Sequence, residues 1–112
     1  MNRAGTLAAA FLFALACAGP STLNHEQLTS ERKRLRSLDA EALLFDQVAA
    51  RRHASSSFER AHAVYLHRAA HDIVEKLAKA RPAPGAEAEF QQVSADATRL
   101  EARFVALLLR FQ

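Results

Sequence analysis

The chain has 112 residues, of which half are apolar and 24% are charged, a composition typical of one small globular domain and not of a disordered chain. Its formal net charge of +3 is too small an excess to argue for nucleic-acid binding by itself. Abundant alanine, with only three Gly and three Pro, favours helix over sheet.

Residues 1–16 have the pattern of a secretory signal peptide. Arg3 and the amino terminus form a positive segment, Leu7 to Ala16 is an uninterrupted apolar run, and small residues follow at the end of that run. A transmembrane helix needs roughly 20 apolar residues, so the run is too short for a stable anchor. A buried N-terminal helix is the alternative, but the order of charge, apolar run and small residues favours a signal peptide.

The residues Phe13-Ala14-Leu15-Ala16-Cys17 resemble the processing site of a bacterial lipoprotein precursor. The resemblance implies cleavage just before Cys17 and acylation of its thiol and its new amine, while Ala14 departs from the usual large aliphatic residue. Ala18 after the cysteine, rather than Asp, implies sorting to the outer membrane. Lipidation would also use the only cysteine of the chain, which is otherwise a liability in an oxidising compartment. Ordinary cleavage after Ala16 or Ala18, which releases a soluble protein, is the alternative.

A short tether is predicted at 17–21 and a helical domain at 22–112. Gly and Pro are absent between Leu23 and Arg81, and Ser56 with Glu59 has the spacing of a capping box, so we expect the second helix to start near Ser57. The sequence RPAPG that begins at Arg81 ends that helix. The predicted helices cover about 22–54, 57–80 and 86–111.

Each predicted helix has an apolar face. The third has unbroken steps of three and four residues, as in a coiled-coil seam: Phe90, Val93, Ala97, Leu100, Phe104, Leu107 and Phe111. The first has a rougher seam, which Glu31 interrupts: Leu28, Leu35, Leu38, Ala42, Phe45 and Ala49. The second is predicted to bury Phe58, His62, Tyr65, Leu66, Ala69, Ile73 and Leu77. These faces predict an all-α fold, an antiparallel three-helix bundle.

The first and third helices carry more apolar residues than one seam requires. A core in which each helix has two neighbours would account for them, as would a surface that dimerises or receives a partner helix. The predicted interaction surface consists of Leu44, Val48, Val105, Leu108 and Leu109.

Histidines supply the candidate metal ligands. His67 and His71 are four residues apart on the second helix, a spacing that allows two imidazoles to chelate a transition metal, although a solvated face is the simpler interpretation. His62 lies on the predicted apolar face and is interpreted as a neutral, hydrogen-bonded core histidine, or else as a pH-sensitive packing residue.

Two short basic runs, at Arg32 to Arg36 and at Arg51-Arg52, suggest anionic partners. In an exported protein these would be lipid headgroups or acidic glycans rather than nucleic acid, and a solvated basic face partly paired with acidic neighbours is the alternative.

The mature chain has no cysteine nucleophile, no Gly-rich phosphate loop and no G-x-S-x-G motif, so we expect neither enzymatic activity nor a cofactor. The sequence predicts a small exported helical lipoprotein that acts through protein–protein contacts in the cell envelope. Its partner would be another envelope protein or a second copy, and its location the periplasmic face of the outer membrane, or the periplasm or exterior if it is not lipidated. The alternatives are a metal- or stress-responsive periplasmic protein that uses His67 and His71, and an inhibitor or immunity-type module.

The intact mass of the protein extracted from membranes checks the processing prediction. We expect a chain that begins at an acylated Cys17. An unmodified chain that begins at Cys17 or Gly19 would indicate a soluble protein, and retention of residues 1–16 would contradict the signal peptide.

Overall fold

A computed structural model describes residues 21–51 and 55–112 of the chain. Within them, helices hold 82% of the residues, which confirms an all-α class with three helices and is compatible with a helical bundle. The predicted signal peptide and Cys17 lie outside the described residues.

Two short strands and three helices follow one another in the described part of the chain. They are β1 (Ser21–Leu23), α1 (His25–Ala50), α2 (Ser56–Ala78), β2 (Ala80–Pro82) and α3 (Glu87–Arg110). The third helix agrees with the prediction to within a residue at each end, because Pro84 and Gly85 precede it and Glu87 and Glu89 occupy its first turn.

The prediction that the first helix begins at residue 22 is wrong, because the capping residue lies further along the chain. The Asn24 side chain accepts the Gln27 backbone N–H at 2.9 Å, and the Gln27 side chain accepts the Asn24 N–H at 2.9 Å. This reciprocal capping box fixes the helix start at His25. The helix ends at Ala50 rather than 54, with Arg51 as its C-cap.

The second helix is also capped by a residue other than the predicted one. Ser55, not Ser56, accepts the Phe58 backbone N–H at 3.2 Å, so the helix begins at Ser56. It ends at Ala78 rather than 80, because Ala80 belongs to a strand.

The pairing of β1 with β2 was not predicted, and it includes Ser21, the last residue of the predicted tether. The two strands are parallel, with Ser21 opposite Ala80 and Leu23 opposite Pro82. Leu23 is buried, and its carbonyl accepts the Ala83 N–H at 2.8 Å. The pair therefore joins the residues before α1 to the connection between α2 and α3.

Buried side chains from all three helices form one core. Its largest fully buried members are Phe104, Leu28, Leu66, Ile73 and Val93. The seam of α3 is buried as predicted at its five central positions, whereas Phe90 and Phe111 at its ends are half-buried.

The buried face of α2 differs from the predicted one. Phe58 and Tyr65 are each 51% exposed, and the buried residues are Ala63, Leu66, Ala70, Ile73 and Leu77. These positions have the same unbroken steps of three and four residues as the seam of α3.

Glu31 lies within the seam of α1 instead of interrupting it. Its side chain is 6% exposed, and Oε1 accepts a hydrogen bond from the Lys76 ammonium of α2 at 2.5 Å. The Lys76 side chain is half exposed, so its charged end stays near water while it neutralises the buried carboxylate.

Replacement of Lys76 by Met should lower the free energy of unfolding by about 1–3 kcal/mol, because the buried Glu31 carboxylate then loses its cation. Glu31→Leu should be neutral or stabilising, because leucine continues the seam. Urea denaturation of both variants gives the comparison.

Lys79→Met on the same helix is the matched control. Lys79 forms an exposed pair with Glu75, whose loss should cost about 0.5 kcal/mol or less. An equal loss of stability in the Lys76 and Lys79 variants would show that the Lys76–Glu31 pair contributes no more to the free energy of unfolding than an exposed ion pair does.

Candidate interaction surface

The five residues of the predicted interaction surface differ in exposure. Leu44 and Leu109 are the most exposed, at 60% and 63%, and Val105 is 42% exposed. Val48 is half-buried, and Leu108 is partly buried against the core.

The structure places Leu44 and Val105 on two sides of α2. Leu44 is one turn after Glu41, which lines the groove between α1 and α2. Val105 is one turn after Glu101, whose carboxylate contacts His71 of α2 from α3. The leucine of α1 and the valine of α3 therefore lie along different grooves and do not form one continuous patch.

An aromatic cluster that the sequence did not predict surrounds His62. The imidazole ring centroid lies 5.0 Å from that of Phe45, 5.7 Å from that of Phe58 and 5.6 Å from that of Tyr65. Phe45 in turn meets Phe111 edge-on at 5.4 Å. The cluster joins α1, α2 and the residue after α3. His62 is half-buried at the edge of the core, and its surroundings are rings.

The outer members of this cluster, Phe58 and Tyr65, are exposed on α2, which forms one wall of a groove with α1. This groove has a volume of about 460 Å³, and Tyr65 forms part of its wall. Phe58 packs its ring parallel to that of His62. Phe58 is one turn before Ala61, and Leu44 is one turn after Glu41 on the facing wall; Ala61 and Glu41 both line the groove. We call Leu44, Phe58 and Tyr65 the aromatic surface.

A signal for the aromatic surface was present in the sequence. Alanines occupy two of the five buried positions of α2, at 63 and 70. Phe58 and Tyr65 have larger apolar side chains but lie on a different face of α2. A prediction based on the size of apolar side chains therefore assigns the wrong face of this helix to the core. The regular spacing of the alanine-containing stripe is the better guide.

The two histidines of α2 lie side by side, and His71 contacts two carboxylates. The His67 and His71 rings stack at 5.9 Å between centroids. His71 Nδ1 lies 2.6 Å from Glu101 Oε2, and its Nε2 lies 3.8 Å from Glu75 Oε1. His71 therefore connects α2 to α3 through an ionic contact with Glu101.

No group of three or more His, Cys, Asp or Glu side chains in residues 21–51 and 55–112 is arranged to hold a metal ion. His67 and His71 thus lack a third ligand within this part of the chain. In the same residues, no helix has an apolar stretch long enough to cross a bilayer.

No protein-family model, curated protein or solved structure matches this chain.

The pKa of His71 is raised above its ordinary value of 6.5, mainly because the ring hydrogen-bonds to Glu101. Desolvation acts against this rise, and the charges of Glu101, Glu75 and Asp72 add to it. The stabilising contribution of His71 should be complete below the pKa of the unfolded histidine and should disappear as the pH rises through the higher folded value.

Urea unfolding of the wild type and of His71→Gln between pH 5.5 and 8 tests this expectation. The wild type should exceed the variant in stability by more at pH 5.5 than at pH 8. A difference that is constant across this range would contradict the ionic contact, and His67→Gln should change the pH dependence less.

Proposed function

We propose that the chain is a small exported helical lipoprotein that acts through protein–protein contacts as a structural or accessory component of the cell envelope. The aromatic surface would be its main contact region. The observation that carries the proposal is that Leu44, Phe58 and Tyr65 are each more than half exposed. Tyr65 lines the groove between α1 and α2, and Leu44 and Phe58 are each one turn from a residue that lines it. Aromatic side chains at such positions are typical of protein interfaces.

We also propose that the three helices form an antiparallel bundle. The contacts between α2 and α3 are those of antiparallel helices. The Arg60 side chain donates to the Phe111 carbonyl, and His71, later in α2, contacts Glu101, earlier in the chain than Phe111. Along α1 and α3 the residue numbers rise together, in the pairs His25–Glu89, Asp39–Arg103 and Asp46–Arg110. These pairs support an up-down-up order.

Lipidation at Cys17 would place the aromatic surface away from the lipid. Ser21 is four residues after Cys17, so an extended connection spans about 14 Å at most. Leu44 lies 19 residues after the start of α1, or roughly 30 Å along the helix. An anchor at Cys17 would thus hold β1 near the membrane and allow the far end of α1 to meet a partner outside it.

No observation favours the metal-responsive alternative, because His71 is held by Glu101 and no third ligand accompanies it among the described residues. An inhibitor or immunity-type module needs an exposed contact surface of the same kind, so the identity of the partner decides between that function and a structural one.

Photo-crosslinking in intact cells tests the proposal. A benzophenone-bearing amino acid in place of Tyr65 should give one dominant crosslinked product, either with an envelope protein or at twice the mass of the chain. Adding Leu44→Glu should weaken that product by about tenfold, the loss expected if about 1.4 kcal/mol of contact free energy is removed.

Gln91, an exposed residue near the start of α3, provides the control position for the same photoreactive group. Crosslinks of equal yield from positions 65 and 91, or no crosslink from position 65, would contradict a contact region at the aromatic surface.

A further inference from the structure

A second groove, between α1 and α3, differs from the first in its charge. It has a volume of about 390 Å³, within the range of small-molecule sites. Its charged lining side chains are Arg32, Arg36, Arg99, Arg103, Asp39 and Asp96. Four cations and two anions give this groove, which we call the arginine groove, a net charge of +2.

The arginines of α3 already have carboxylate partners. Arg99 is paired with Asp96 on its own helix, and Arg103 is paired with Asp39 of α1. Both aspartates that line the groove are therefore already paired with arginines of α3.

The arginines of α1 have no such partner. Among residues 21–51 and 55–112, no carboxylate lies within 4.0 Å of the Arg32 or Arg36 guanidinium group. The two are four residues apart and therefore one turn apart on the same side of α1. The excess positive charge of the groove thus resides on two neighbouring guanidinium groups.

The ion pairs between α1 and α3 keep the four arginines together. Asp39 pairs with Arg103 and His25 with Glu89, so each residue of α1 lies beside the residue 64 positions later in α3. By the same offset, Arg36 lies level with Leu100, between Arg99 and Arg103. An anion held by Arg36 would therefore also be near the guanidinium groups of α3.

The groove between α1 and α2 offers an internal comparison. Its charged lining residues are Arg34, Arg68, Glu41 and Asp72, which sum to zero. The excess of arginine is therefore a property of the arginine groove that the groove between α1 and α2 does not share.

We propose that the arginine groove binds a phosphate group that carries an apolar substituent. Guanidinium groups bind phosphate oxygens through paired, charge-assisted hydrogen bonds, and a phosphate monoester with two negative charges would balance the net charge of the groove. Leu35 and Leu100 supply an apolar floor for the substituent. The ligand is either a soluble organic phosphate or the headgroup of phosphatidic acid, a phospholipid whose phosphate is a monoester.

Isothermal titration of the full chain with dihexanoyl phosphatidic acid, below its micelle concentration, tests the site. We expect saturable binding, and we expect Arg32→Gln with Arg36→Gln to weaken it at least about tenfold, because both guanidinium groups without a carboxylate partner are lost. Inorganic phosphate should bind more weakly than the lipid, because it makes no contact with the leucine floor.

Lys33→Gln with Arg34→Gln is the matched control, since it removes the same charge from adjacent positions outside the groove. It should leave the affinity within about twofold of the wild type. Equal losses in the two double variants would show a general charge effect and overturn the proposal, as would the absence of saturable binding. Helical circular dichroism should be unchanged in both, because Arg36, Lys33 and Arg34 are exposed and Arg32 is half-buried.

Sedimentation with vesicles of phosphatidylcholine, with and without phosphatidic acid, distinguishes the two sources of phosphate. Binding that increases with phosphatidic acid and falls in the Arg32 and Arg36 double variant identifies a lipid surface. Titration by the soluble lipid without such an increase identifies a soluble organic phosphate. An acidic peptide that binds the groove more tightly than either phosphate probe would overturn the assignment.

Discussion

The burial of three apolar seams against one another determines where every other side chain of this domain can lie. The largest fully buried residues come from all three helices, so no helix can rotate about its axis without exposing one of them. Burial of one such side chain is worth roughly 1.5–3 kcal/mol. Any polar group that falls on a seam therefore needs a partner. Oε1 of Glu31 has such a partner in Lys76, whose long side chain reaches from α2 while its ammonium group remains partly solvated.

The orientation that the seams impose also produces the two grooves. Each helix buries one stripe, and the residues beside that stripe become the walls between neighbouring helices. On one side of α1 these walls carry balanced charges and border the exposed rings of Phe58 and Tyr65. On the other side they carry four arginines and two aspartates. One helix thus separates the proposed protein contact from the proposed phosphate site.

The candidate residues could be predicted only in part. Leu44 and Leu109 were identified from apolar residues outside a seam, and both are exposed. Phe58 and Tyr65 were assigned to the core because large aromatic side chains outweigh alanine in any hydrophobic count. The core of α2 instead uses Ala63 and Ala70. Nor could the sequence indicate which arginines of the basic run lie beside those of α3, because that depends on the register of two helices distant in sequence.

The sequence by itself determined the three helices, the unbroken seam of α3 and the negative first turn of that helix. These features arise from periodicity and from interactions between residues a few positions apart. The tertiary structure decided the pairing of Ser21–Leu23 with Ala80–Pro82, the burial of Glu31 beside Lys76, the aromatic cluster around His62 and the division of charge between the grooves. Each of these features depends on contacts between residues at least 17 positions apart. A three-residue strand or a single side chain is too short to show a periodic pattern from which such contacts could be predicted.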